Sequence, residues 1–104
     1  MEDAVGITDR AMKVKYTQSL PLYFYNAVAN LALGRLEPAE QSARKAVDLD
    51  PAHLFPKAED LLGTVLAAKG DRHGALEHLK KYLELSPKAE DAPKVKQRIT
   101  ELER

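Results

Sequence analysis

Apolar residues return with a helical period along most of this chain. Leu61, Leu62, Val65 and Leu66 form one stripe, and Ala75, Leu76, Leu79 and Leu83 form another. Spacings of three and four residues place such side chains on one face of an α-helix. No segment alternates apolar and polar positions as a half-buried strand does, so the pattern predicts an all-α chain. Gly34 and Gly70 mark helix ends, where glycine accepts a left-handed cap without steric penalty. Pro21, Pro38, Pro56 and Pro93 sit near helix starts, where a missing N–H does no harm, and Pro51 and Pro87 stop the helices before them. These signals predict six helices, at about 3–15, 20–33, 37–49, 56–69, 72–85 and 92–103, in antiparallel pairs.

The pattern also repeats. Gly34 recurs as Gly70, Ala39 as Ala75, and Val47-Asp48-Leu49-Asp50-Pro51 as Leu83-Glu84-Leu85-Ser86-Pro87, each pair 36 residues apart. Three landmarks at one offset indicate a duplicated supersecondary unit. A weaker copy precedes them, since Asp9-Arg10-Ala11-Met12-Lys13-Val14 resembles Ala43-Arg44-Lys45-Ala46-Val47-Asp48-Leu49 with one residue of slack.

The unit resembles the tetratricopeptide repeat, whose pattern is W-x2-L-G-x2-Y, then A-x3-F, then P. In the second unit Leu62-Gly63 supplies L-G, Leu66 stands in the Tyr slot, Ala75 and Leu79 fill A-x3-F, and Pro87 closes; Glu59 in the Trp slot is a departure. In the first unit Tyr23 stands for Trp, Asn26-Ala27 for L-G and Asn30 for Tyr, followed by Ala39, Ala43 and Pro51. The family period is 34, so Ala52-His53-Leu54-Phe55 is expected to carry two extra loop residues. Both small-residue slots, Ala27/Gly63 and Ala39/Ala75, are kept where two helices approach closely. The resemblance implies a right-handed α-solenoid. Its expected parts are the second helix of a truncated preceding repeat (1–18), two repeats (20–53 and 54–88) and a capping helix (91–104). On this reading the chain is the C-terminal piece of a longer array, with Val95, Ile99 and Leu102 as the thin apolar stripe of the cap.

Composition narrows the function classes. The 104 residues carry 16 Lys+Arg against 16 Asp+Glu, so the electrostatic footprint of a nucleic-acid binder is missing. Cysteine is absent, which removes a disulfide framework, a thiolate zinc site and a Cys nucleophile. No apolar run approaches the ~20 residues of a membrane span, and Met1-Glu2-Asp3 does not open a basic-then-apolar leader. The compartment stays open.

Candidate chemistry is thin. His53 falls in a loop, and His73 and His78 are about 140° apart on a helix, so solvated surface histidines are expected rather than a metal pair. Glu59/Asp60 and Glu90/Asp91 diverge as sequence neighbours; Asp91 is expected to cap the last helix, and Glu59 and Asp60 to favour the first turn of theirs. No phosphate loop or nucleophile motif is present, so neither enzyme, metal nor cofactor is expected. Lys80-Lys81 and Lys94/Lys96/Arg98 are interleaved with acids and read as solvated faces. Asn26 and Asn30, i and i+4 in slots the family fills with apolar groups, read as core amides bonded to each other or to backbone, or else as ligand contacts.

The most informative stretch is Leu22 to Leu33, twelve residues without a charge. Such a helix is buried all round or presents an adhesive face. With Tyr23 and Ala27 toward helix 37–49, Phe24, Val28 and Leu31 form an i, i+4, i+7 stripe. The resemblance places this stripe on the inner concave surface, where the family takes extended or helical peptides. The matching positions of the second repeat, Lys57, Asp60, Thr64 and Ala67, form a more polar floor. Phe24 and Val28 stand where one subfamily has the Lys and Asn of a clamp for C-terminal carboxylates, so that clamp is absent. The expected function is a non-catalytic scaffold gripping a protein or peptide segment through Phe24, Val28, Leu31, Lys57, Asp60 and Thr64. The alternative is a self-association module, a homodimer or extended array built through exposed N-terminal apolar faces.

Overall fold

A computed structural model describes residues 20–104. The helix expected at 3–15, and with it the truncated repeat assigned to 1–18, lies outside the described residues. All regular structure among the described residues is helical, in five elements: α1 (Leu20–Ala32), α2 (Leu36–Asp48), α3 (Lys57–Lys69), α4 (Arg72–Leu85) and α5 (Ala92–Glu103). Each starts and ends within a residue of the prediction. Successive helices touch along the chain, and α1 also reaches α3, as expected of a tetratricopeptide-like helical repeat.

The helix ends follow local chemistry. Gly34 (φ 76°) and Gly70 (φ 89°) are left-handed. Behind them Arg35 N–H bonds to the Asn30 carbonyl at 2.8 Å, and Asp71 N–H to the Leu66 carbonyl at 2.9 Å. These six-to-one closures satisfy carbonyls the helix leaves open. Asp71 then caps α4, its carboxylate accepting from Gly74 N–H at 3.0 Å. In the connection between α2 and α3, the buried Asp50 carboxylate accepts from Leu54 N–H at 2.8 Å and Phe55 N–H at 2.7 Å. That pair of bonds turns the chain through the long loop and delivers Phe55 against Phe24, edge to face at 5.0 Å between centroids.

The core has two parts. Ala27, Ala39, Ala43, Leu61, Leu62, Val65, Leu66 and Ala75 form the first, joining both helix pairs. Leu79 and Tyr82 of α4 form the second with Val95 and Ile99 of α5, flanked by Leu76, Leu83 and Leu102. The thin stripe of α5 is therefore buried on α4, while its other faces stay polar. Gly63 lies where α3 meets α4: a Cβ there would stand 2.8 Å from Leu79 Cγ and 3.2 Å from the Ala75 carbonyl oxygen. Close packing at this crossing requires the absence of a side chain.

Candidate functional site

Helix α1 buries the wrong residues for its composition. Its fully buried positions are Asn26, Ala27 and Asn30, while Tyr25 is 67% and Val28 41% exposed. The two amides form a chain across the helix pair. Asn30 Nδ2 donates to the Asn26 carbonyl (2.9 Å) and side-chain oxygen (3.1 Å), and Asn26 Nδ2 donates to Ser42 Oγ at 2.6 Å. Core amides bonded to each other or to backbone were one of the two readings of the sequence; the Ser42 side chain as a third member was not foreseen. With its interior edge spent on this polar chain, α1 turns its larger apolar groups sideways and outward.

Of the expected apolar stripe, Phe24 and Leu31 are half-buried against the first core cluster and Val28 remains exposed. Phe24 also meets the Tyr25 ring edge to face at 5.6 Å. The expected polar floor, Lys57, Asp60 and Thr64, lies along α3, and α5 reaches over to it. Lys57 Nζ donates to Asp91 Oδ2 and stands 5.4 Å from the Tyr82 ring centroid. Arg98 Nη1 donates to Thr64 Oγ1 at 3.1 Å and lies 3.8 Å from Asp60 Oδ1. The two triads thus occupy adjacent helices, α1 and α3, which touch.

Electrostatics follow from these contacts. The Lys57 hydrogen bond, with a second from Tyr82 Oη (2.6 Å), holds the Asp91 carboxyl below the usual aspartate range, and Asp91 in turn raises the Lys57 ammonium. Burial pushes Asp60 up, and the nearby cations Lys57 and Arg98 offset only part of it. Burial first, then the bond to Asp91, raises Tyr82. The cations of this floor are paired internally, and a cleft between α3, α4 and the start of α5 is lined by Lys57, Tyr82, Ala89, Glu90, Asp91 and Lys94.

Two sequence expectations change. His78 is not a solvated surface histidine: its side chain is 15% exposed and its Nδ1 lies 3.0 Å from Oε2 of buried Glu59. Glu59, in the Trp slot, stands in the first turn of α3 as expected and is also a partner across the α3–α4 pair. Asp91 starts α5 but gives it no side-chain cap; its two oxygens are committed to Lys57 and Tyr82. Arg98 stays on the exposed face expected for it and also reaches across to Thr64 of α3. Tyr25 and Tyr82 were missed as candidates. The signal for Tyr25 was its place in the i, i+4, i+7 series Pro21, Tyr25, Val28, all exposed in the structure. Among the described residues no three His, Cys, Asp or Glu side chains converge as metal ligands, and no helix is long and apolar enough to cross a membrane.

Comparison with curated proteins gives no match. The family model of the tetratricopeptide repeat matches residues 25–53, most of α1, all of α2 and the start of the loop after it. That match falls on the repeat whose slots depart most from the family's apolar pattern, and the better-patterned α3–α4 pair follows it 36 residues later with the same left-handed glycine closing its first helix. Residues 25–53 thus match a tetratricopeptide repeat, a kind of repeat that in general serves protein–protein interaction.

Proposed function

We propose that the chain is a non-catalytic scaffold that holds an extended or helical peptide segment against α1 and α3. Val28, with half-buried Phe24 and Leu31 beside it, forms the apolar anchor. Lys57, Asp60 and Thr64 set the polarity of the continuing floor. The observation that carries this reading is the exposure of Val28 on a helix with no charge to hydrate it; exposed apolar surface of this kind marks interaction sites. Because Lys57 and Asp60 face cross-bridges from α5, the ligand gains little from them as free charges. Selectivity then comes from the fit of an apolar side chain at Val28 and from shape along α3.

The test is selection from a displayed peptide library followed by fluorescence anisotropy with the selected peptides. Val28→Asp should weaken their binding at least ~tenfold, about 1.4 kcal/mol, while thermal unfolding stays close to the parent because the site is already wet. Peptides that bind the parent and Val28→Asp alike would remove Val28 from the site. Light scattering on the same samples addresses the self-association alternative: a dimer that Val28→Asp dissociates would favour it over peptide binding.

A further inference from the structure

The polar floor along α3 is unevenly satisfied. Lys57 donates to Asp91, whose other oxygen accepts from Tyr82, so that end is closed by hydrogen bonds. Asp60, the next residue of the floor, differs: its Oδ1 is buried and accepts no hydrogen bond. The Arg98 guanidinium stands 3.8 Å from that oxygen, beyond hydrogen-bond reach, with its Nη1 donating instead to Thr64 Oγ1 at 3.1 Å. Thr64 in turn donates to the Asp60 carbonyl at 2.9 Å. Buried carboxylate oxygens are ordinarily bonded, and one left open calls for an explanation. Burial holds the Asp60 carboxyl above its usual range despite Lys57 and Arg98 nearby, so these cations compensate it incompletely. Arg98 is held loosely by comparison. Its side chain is 45% exposed, and α5 packs on α4 through Val95 and Ile99, so the guanidinium can leave α3 without disturbing that packing.

We propose that Asp60 and Thr64 form a subsite for a cationic side chain of the bound peptide, an arginine above all, and that Arg98 fills this subsite as an internal stand-in until the ligand displaces it. The guanidinium seated there indicates the chemistry the subsite accepts. An arriving guanidinium is not tethered to α5, so it can approach Asp60 Oδ1 to the ~2.8 Å of a charge-assisted hydrogen bond while its planar fork still reaches Thr64. A ligand carboxylate at this place would meet an uncompensated acid and be refused. Because one cation replaces another, the net gain in affinity is small, in keeping with the weak pull of these charges on a ligand; the consequence is selectivity of charge. The subsite lies on the helix that α1, with its exposed Val28, touches, so an apolar and a cationic side chain of one segment fall on neighbouring helices. That the ligand is a peptide rests on the reading above, whereas the subsite does not depend on Val28.

The test uses the full chain and a probe with no side chain for the Val28 anchor, N-acetyl-argininamide, with its neutral isostere N-acetyl-citrullinamide as control. In amide chemical-shift titrations by NMR, the arginine probe should move the Asp60 and Thr64 resonances and the citrulline probe should leave them in place. Arg98→Ala should bind the arginine probe about tenfold more tightly than the parent, the gain expected when an internal competitor leaves a subsite that was open about a tenth of the time. Asp60→Asn should abolish the shifts while the chain stays folded, since it removes a charge that burial penalises. An Arg98→Ala protein that binds the probe no more tightly than the parent, or not at all, overturns the stand-in. Equal binding by Asp60→Asn and the parent overturns the subsite. Either failure leaves the Val28 reading intact, and library peptides that bind Val28→Asp like the parent leave this subsite intact.

Discussion

The two helix pairs share a backbone plan and differ in what fills it. The pair α3–α4 is closed by Leu62, Leu66 and Leu79 around Gly63, whereas α1–α2 is closed by Asn26, Asn30, Ala43 and Ala27 at the positions 36 residues earlier. Each pair has one buried polar bridge, and the same position of the second helix supplies it: Ser42 in one, His78 in the other. The partners differ, Asn26 in the first pair and Glu59, equivalent to Tyr23, in the second. Small residues and amides bring two helices close but bury little apolar area, so the first pair leans on α3 for its burial. The Leu-rich pair has apolar surface for both neighbours. Apolar burial is concentrated in α3–α4, while Tyr25 and Val28 of α1 are exposed.

The largest effect expected from this contrast comes from moving a first-pair residue into the second. Leu62→Asn puts an amide where the neighbours are Leu and Val side chains, losing apolar burial and stranding a polar group. The loss should be about 3–5 kcal/mol by denaturant unfolding. A loss below about 1 kcal/mol would show that the second pair is not the stability centre.

A smaller effect tests the close crossing. Gly63→Leu should cost on the order of 1–3 kcal/mol through overpacking against Leu79 and the Ala75 carbonyl, although Leu favours a helix by roughly 1 kcal/mol over Gly. The comparison sharpens with Ala27→Gly in the first pair, where only the propensity difference and one methyl are at stake. If Gly63→Leu is as stable as the parent by thermal unfolding, the two pairs do not cross as closely as their shared small-residue slot requires.

The smallest effect concerns pH. Asp91 has a depressed folded value, so the stability it contributes is present above the unfolded aspartate value near 3.8 and is lost as pH falls through the folded one. Asp60 is raised by burial, so its ionisation opposes folding as pH rises through its folded value. Asp91→Asn should therefore lower stability at neutral pH, by about 1 kcal/mol or less for so exposed a pair, with the deficit vanishing in acid. Asp60→Asn should hold or raise stability at neutral pH. Thermal unfolding of both variants between pH 3 and 7 measures this; equal shifts in the same direction would contradict the assigned contacts.

Much of the fold was legible because it is local. Gly34 and Gly70 announced left-handed caps, the prolines announced starts and stops, and the 36-residue offset announced two copies of one hairpin. The apolar stripe of α5 was legible too, as Val95 and Ile99 on an otherwise charged segment. The site was less legible. Phe24, Val28 and Leu31 share one face in sequence, yet only Val28 is left open, because the Asp50 turn brings Phe55 onto Phe24 and Leu31 packs against the first core cluster. Tyr25 looked like one more apolar residue in an uncharged run, and its exposure follows from how α1 packs on α2 and α3.

Periodicity, capping chemistry and duplication, all carried by short-range sequence, determined the helices and their order. What the tertiary structure decided is which polar groups meet. His78 sits 3.0 Å from Glu59 across 19 residues, Arg98 reaches Thr64 across 34, and Asp91 turns from its own helix end to Lys57 and Tyr82. A cap is a choice among a residue's own backbone neighbours and leaves a local signature. A bridge between helices depends on crossing angles and on the small residues that permit close approach, and the identity of the partner is fixed only once the helices are packed.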